Sequence, residues 1–364
     1  MIKYGVDAIT RAPQVIAELG ARRVLLVCGR RSFEASGAAS VLPPLQRIVQ
    51  LRRWSDFAPN TDAADLAQGL AIVDEFRPDL VLAVGGGSAM DMAKLLTGFA
   101  GITDPAKLHD AIRSGDPITR RELGLVLAPT TSGSGSEATH FAVVYVDDQK
   151  YSVAGGPLRP DAVILDPALT LSGSRYQKAT SGIDAVAQAI ESLWAVGATE
   201  QSRRWARHAL RLLLPAIEPF VDTGDKESAR AMAIGSHLAG RAIDISRTTA
   251  AHALSYAITK RYGVSHGHAV ALTLGAFIEA HAAVDSLRPV MTEIVQRLGG
   301  TDGPTARERF QALLERLGLG PRLSQIGCTT PEERRQLAAA VNLERMGNNP
   351  VRFDQDGLTA LLDG

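Results

Sequence analysis

Unbroken apolar runs constrain this chain more than any other feature. Residues 23–29, 79–85, 125–129 and 161–167 each read as a continuous apolar stretch closed by glycine or proline. Strands buried on both faces look like this, because neither face meets water. Helical spacing falls between them, over residues 8–19, 42–49 and 63–76, and shorter strands fit residues 2–5 and 50–54. The alternation predicts a parallel sheet flanked by helices on both faces. Residues 141–145 and 150–154 predict a hairpin around Asp147-Asp148.

The run 79–85 passes straight into Gly85-Gly86-Gly87-Ser88 and a helical pattern. Glycines let a backbone approach a phosphate closely, and a helix N-terminus offers N–H groups and a favourable dipole. The stretch is either a pyrophosphate cradle or a plain tight turn, and it lacks the Gly-x-Gly-x-x-Gly spacing. The run 125–129 feeds Thr130-Thr131-Ser132-Gly133-Ser134-Gly135-Ser136-Glu137. Ligands of open α/β sheets gather at such strand ends.

Beyond residue 169 the strand signal fades. Helical patterns follow over 183–194, 200–221, 226–241, 250–261, 269–281, 288–296, 305–317 and 331–341. A boundary near 167–172 therefore divides an α/β half, 1–168, from an all-helical half, 169–364. A chain of 364 residues is too long for one ordinary core. Asp184 and Gln188 stand four apart in a helix opened by Thr180 or Ser181, so they share a face. His252 lies in a helical pattern, and His266 follows a breaker-rich Tyr-Gly-Val-Ser. One carboxylate, one amide and two imidazoles suit Zn²⁺ or Fe²⁺; singly, each His is an ordinary packed or solvated residue. A site in the cleft between the halves is expected.

Lys plus Arg and Asp plus Glu each number 39, so formal net charge is zero. This argues against nucleic acid or a membrane surface as partner. Two cysteines, Cys28 and Cys328, make neither a disulfide framework nor a thiolate metal site. Residues 1–5 lack the apolar core of a signal peptide, and no apolar run approaches a membrane span. A soluble, cytoplasmic protein is expected.

The glycine stretch with Asp91 and Lys94, the 130–137 run and the later Asp/His set resemble the iron-containing (group III) alcohol dehydrogenases in order and spacing. The resemblance implies a dehydroquinate synthase-like architecture: an α/β N-terminal nucleotide-binding domain plus an all-α C-terminal metal-binding and catalytic domain. It implies hydride transfer between NADPH or NADH and a carbonyl, with Fe²⁺ or Zn²⁺, in a homodimer. Carried onto this chain, Gly85, Gly86, Gly87 and Ser88 hold the pyrophosphate, and Asp91 lies near the nicotinamide. Thr130, Thr131 and Ser134 line the cofactor, with Ser55 and Asn60 beside it. Asp184, His252 and His266 ligate the metal, with Gln188 where the family has His. Tyr256 stands where the family often has a further His. Tyr256, His268 or water is expected to relay the proton; the plainer reading of His268 is a helix-start residue bonded to backbone.

Ser55 occupies the position of the family's usual ribose-binding acid, Arg52 and Arg53 are close, and Asp56 is adjacent. Dual cofactor use with a lean to NADPH is expected. Residues 184–192 and 252–271, with Asn348-Asn349-Pro350, resemble the phosphonoacetaldehyde reductase branch. The implied substrate is a small anionic aldehyde, phosphonoacetaldehyde first and sulfoacetaldehyde next. Arg247, read as the start of His252's helix, is expected to contact the anion, helped by the N–H groups of residues 247–249. Lys260 and Arg261 face either the cleft or solvent. A general alcohol dehydrogenase, a dehydroquinate synthase-like lyase or cyclase, and a metal-free relative suggested by Gln188 are the competing readings.

Overall fold

A computed structural model describes residues 1–341 and 343–363. The chain divides into two compact units, Met1–Gly173 and Ser174–Gly364.

The first unit holds β1 (Ile2–Tyr4), β2 (Arg23–Cys28), β3 (Gln50–Trp54), β4 (Leu80–Gly85), β5 (Gly124–Pro129), β6 (Phe141–Val146), β7 (Gln149–Ala154) and β8 (Ala162–Leu165). Six of these form one sheet in the order β1-β8-β5-β4-β2-β3, every pair parallel. Helices α1 (Ala12–Glu18), α2 (Ala63–Phe76), α3 (Gly87–Gly98) and α4 (Pro105–Ser114) belong to the same unit. The apolar runs are continuous because alternate residues enter two cores. Leu25, Val27, Val81 and Ala83 pack with Leu66, Leu70, Met90 and Leu96 on one face. Val24, Leu26, Leu82 and Val84 pack with Ile16, Phe33 and Leu45 on the other. Each such Val, Leu, Ile, Met or Phe side chain contributes about 1.5–3 kcal/mol on burial. β6 and β7 form the hairpin, turned by Asp147 and Asp148 at φ 48° and 62°. Positive φ at both central residues gives the twist that a two-residue hairpin requires.

β2 pairs with β3 on one side and β4 on the other. The strand order therefore reverses there, and the crevice outside the carboxyl ends of β2 and β4 is where such sheets bind ligands. Helix α4 lies in a stretch with no helical expectation. Asp104 caps it by accepting from Ala106 N, and Pro105 opens it.

The second unit contains α5 (Arg175–Trp194), α6 (Glu200–Asp222), α7 (Lys226–Ser246), α8 (Ala250–Tyr262) and α9 (His266–Ala282), followed by shorter helices. Three boundaries differ from expectation. α5 starts at Arg175, not near Thr180 or Ser181, because Ser174 caps it by accepting from Gln177 N. The Thr180 and Ser181 hydroxyls instead donate to the carbonyls of Gln177 and Lys178. α7 runs past residue 241 to Ser246, and α9 begins at His266 rather than Ala269. Among the described residues no single helix is long and apolar enough to cross a membrane.

Candidate functional site

In the second unit, α5, α8 and α9 bring Asp184, His252 and His266 together. One donor atom from each lies within 4.8 Å of the others. The close approach depends on Gly267. A Cβ there would sit 2.0 Å from Thr180 O and 2.8 Å from the Asp184 Cβ, so any side chain would push His266 away from α5. Asp184 Oδ1 lies 3.4 Å from His252 Nε2 and 3.9 Å from His266 Nε2. Gln188, one turn along α5, donates its Nε2 to Asp184 Oδ2 at 3.1 Å. Its amide therefore orients the carboxylate.

The surrounding hydrogen bonds set both imidazole tautomers. Ser255 Oγ donates its one hydrogen to His252 O at 2.7 Å, so at 3.2 Å it accepts from His266 Nδ1. The His266 lone pair then falls on Nε2. Glu191 Oε2 takes the Nδ1 hydrogen of His252, again leaving the lone pair on Nε2. That Nε2 is buried and has no hydrogen-bond partner. Metal-ligating histidines are oriented in this way by carboxylates behind them.

Glu191 also accepts, through Oε1, from Thr249 Oγ1 at 2.8 Å, Ala251 N at 3.1 Å and His252 N at 3.3 Å. A fully buried carboxylate on α5 thus caps the start of α8 and aims its histidine. Burial pulls the His252 pKa down, but the Glu191 and Asp184 carboxylates outweigh it and push the pKa up to about 9, so without a metal Nε2 holds a second proton, which a bound cation would displace. The pocket is electrostatically a cation site.

In the first unit the glycine stretch meets the hydroxyl-rich run. Gly86 is the N-cap of α3 and has no side chain of its own to bond the first N–H groups of the helix. A Cβ on Gly87 would lie 3.0 Å from Ser134 Oγ, and one on Gly86 3.5 Å from Thr131 Oγ1. Thr130 N donates to Gly85 O at 2.9 Å, and Asn60 N to Ser88 Oγ at 3.1 Å. Gly85, Gly86, Gly87, Ser88, Asn60, Thr130, Thr131 and Ser134 are therefore gathered at the carboxyl ends of β4 and β5. Asp91 and Lys94 build this surface from beneath. Asp91 accepts from Ser136 Oγ and, at 3.0 Å, from Val143 N. The buried Lys94 ammonium donates to Ser136 O, Thr139 Oγ1 and Phe141 O. Ser55 is half-buried just past β3.

Other expected residues are placed differently. Tyr256 stacks on His266, with ring centroids 5.6 Å apart and planes 5° apart. His268 lies two residues past His266 and so faces another side of α9. Its Nε2 donates to Gly320 O at 2.8 Å, and its Nδ1 is 3.4 Å from the Tyr176 hydroxyl. Arg247 is not at the start of α8. It caps the C-terminus of α7, and its N–H is spent on Ile243 O at 3.0 Å. The N–H groups of Ala251 and His252 are taken by Glu191, so α8 does not offer them to an anion. Glu191 and Ser255 carried no sequence expectation. Glu191 falls on the face of Asp184 and Gln188, seven residues after Asp184, which is the one signal that marks it.

Residues 1–167 match the profile of iron-containing alcohol dehydrogenases, and residues 178–364 match the C-terminal profile of the Fe-containing alcohol dehydrogenase family. The chain belongs to the iron-containing alcohol dehydrogenase family. It is thus an enzyme of the alcohol dehydrogenase and aldehyde reductase class. It is 33% identical over 304 residues to a phosphonoacetaldehyde reductase of Streptomyces viridochromogenes, covering 79% of this chain and 76% of that protein. It is 31% identical over 300 residues to long-chain-alcohol dehydrogenase 1 of Geobacillus thermodenitrificans, covering 81% and 75%. The fold is similar to a sulfoacetaldehyde reductase from Bifidobacterium kashiwanohense in complex with NAD⁺. There the TM-score is 0.90 at 25% identity, over 100% of this chain and 96% of that one.

Proposed function

We propose that this chain reduces a small anionic aldehyde with NADPH or NADH, phosphonoacetaldehyde to 2-hydroxyethylphosphonate first among candidates. The observation that carries the reading is the Asp184, His252 and His266 group, whose hydrogen bonds turn the Nε2 atoms of both imidazoles toward one carboxylate oxygen. These donors fit a divalent ion such as Fe²⁺ or Zn²⁺: three O and N ligands within reach, with an orphaned buried Nε2. A metal held there would supply Lewis-acid stabilisation of the negative charge that develops on the carbonyl oxygen. Glu191 and Ser255 hold the histidines in the required tautomers, and Gln188 orients Asp184. Tyr256, lying against His266, is the relay candidate kept at the cluster; the ring nitrogens of His268 face Gly320 and Tyr176.

The residues of the β4 and β5 ends would hold the pyrophosphate of a nicotinamide nucleotide, which supplies the hydride. Two named relatives, one a curated protein and one a solved structure, reduce aldehydes bearing a phosphonate or a sulfonate. Both groups are tetrahedral oxyanions, which supports an anionic substrate. A panel of aldehydes offered to the metal-reconstituted protein tests this. Phosphonoacetaldehyde should exceed propanal in kcat/KM by roughly 10- to 100-fold, the size of one charge-assisted contact of about 1.5–3 kcal/mol. Equal turnover of propanal would leave a general alcohol dehydrogenase. Cyclisation of a sugar phosphate without nucleotide oxidation would favour the lyase reading.

Cofactor choice turns on the end of β3. Ser55 brings no charge against a 2′-phosphate, and the exposed Asp56 carboxylate is paired with Arg30. Arg52 pairs with Glu75 at 2.9 Å and Arg53 with Glu34 at 2.7 Å, so neither is simply available to a phosphate. Both nucleotides should therefore serve, with kcat/KM for NADPH higher by less than roughly tenfold, about 1.4 kcal/mol. Steady-state kinetics with each nucleotide decides it. A many-fold preference for NADH would sink the expectation.

A further inference from the structure

Arg247 has a backbone conformation that glycine adopts easily and other residues avoid, with φ 61° and ψ 174°. A residue stays in that region only where its surroundings over-determine it. Here they do. Asn348 Nδ2 donates to the carbonyl oxygens on either side of Arg247: Ser246 O at 2.7 Å and Thr248 O at 2.9 Å. Asn348 is fixed in turn, since its Oδ1 accepts from Gly197 N and its carbonyl from Val196 N, both at 2.9 Å. Ser246 Oγ reaches Ser192 Oγ at 2.8 Å. Thr249 Oγ1 accepts from Trp194 Nε1 at 2.9 Å and donates to Glu191. The loop is therefore hung from α5, the helix of Asp184, and leads directly into α8, the helix of His252.

Glycine would fill this backbone position at lower cost, so what arginine adds is its guanidinium. Arg247 is exposed and stands five residues before His252, on a loop tied to the frame of the Asp184 and His252 cluster. Burial of part of the side chain lowers its pKa, with Asp244 acting against the shift.

We propose that Arg247 is a specificity-determining residue that recognises the phosphonate or sulfonate group, and that Asn348 is the positioning residue that holds it there. The inference rests on the anionic-aldehyde reading above. It goes further by naming the side chain that reads the anion and the amide that aims it.

The test compares wild type with Arg247→Gly, Asn348→Ala and the double variant, all as metal-reconstituted full-length chains. The readout is the ratio of kcat/KM for phosphonoacetaldehyde to that for propanal, with KM and kcat resolved. Calorimetric binding of 2-hydroxyethylphosphonate and the thermal midpoint complete it. Arg247→Gly should lower the ratio by at least roughly tenfold, mainly through KM for the anionic aldehyde, as expected for lost uniform binding. Binding of the phosphonate product should weaken by a similar factor. The thermal midpoint should not fall, because glycine takes this backbone without strain. Asn348→Ala should lower the ratio several-fold when Arg247 is present and leave it unchanged in the Arg247→Gly background. Asn348→Asp keeps the size and the acceptor but cannot donate to the two carbonyls, so it decides the matter if the alanine variant fails to fold. If Arg247→Gly keeps the wild-type ratio, the inference is overturned while the substrate reading stands. If Asn348→Ala acts equally with and without Arg247, its positioning role is overturned. A wild type with no preference for the anionic aldehyde overturns the substrate reading and this inference together.

Discussion

His252→Ala is expected to lose turnover and metal retention together. Three protein donors plus an open position suffice for a catalytic metal. On the proposed reading Asp184, His252 and His266 would supply the three, and Gln188 Nε2 is bonded to Asp184. An amide is also a weaker donor than imidazole, so the site has little reserve. Removing His252 leaves two ligands and deprives the buried Glu191 Oε2 of its partner. Metal affinity should fall by more than the ~10–100-fold typical of losing an orienting group alone. Metal content after desalting, measured by mass spectrometry beside kcat/KM, reads both effects. For the same reason wild type should surrender its metal to chelators more readily than relatives with His at position 188. A chelated wild type with verified absence of metal and undiminished turnover would sink the metal reading. So would a His252→Ala protein that keeps both metal and activity.

Much of the fold is legible in the sequence, as are the polar residues that meet in the second unit. The apolar runs announced the parallel strands because each is buried on both faces. The Asp147-Asp148 turn was readable because positive φ suits few residue types, and Asp is one. Asp184 and His252 stood out as polar residues within strongly apolar periodic stretches.

What stayed hidden has physical causes. The first turns of α5 read Arg-Tyr-Gln-Lys, with no apolar stripe, and Ser174 is separated from the periodic part by a polar turn. The end of α7 carries neither glycine nor proline. The chain breaks there at Arg247 because Asn348, about a hundred residues on, clamps both flanking carbonyls. Long-range hydrogen bonds of this kind leave no local pattern. His268 reads from sequence either as a proton relay or as a helix-start residue bonded to backbone; two residues past His266 it turns to another side of the helix, and its Nε2 donates to Gly320 O. Glu191 was the hardest to read. A carboxylate in an apolar helix gains meaning only when the N-terminus of another helix and a histidine are seen to converge on it.

That convergence makes Glu191 the second large effect, and two substitutions there separate its two tasks. Glu191→Gln keeps the size and an acceptor for Thr249, Ala251 and His252 N. Its amide nitrogen, however, would face His252 Nδ1, where a hydrogen now sits. Two donors cannot share that contact, so the imidazole must carry its proton on Nε2, the atom that faces Asp184. Metal affinity should drop by ~10–100-fold, the usual cost of a lost orienting carboxylate, while the helix cap survives. Glu191→Ala removes the cap as well and leaves buried donors at the start of α8 without an acceptor. Losing a cap costs about 1 kcal/mol and each stranded buried donor about 1–3 kcal/mol, so a loss of several kcal/mol in stability is expected. Competition with a chelator of known affinity measures the first effect, and denaturant unfolding of the metal-free protein measures the second. The Gln variant should show the metal defect with near wild-type unfolding, and the Ala variant should show both. Wild-type metal affinity in Glu191→Gln would mean that the carboxylate behind His252 does not set its tautomer, and Glu191 would be left as a helix cap alone.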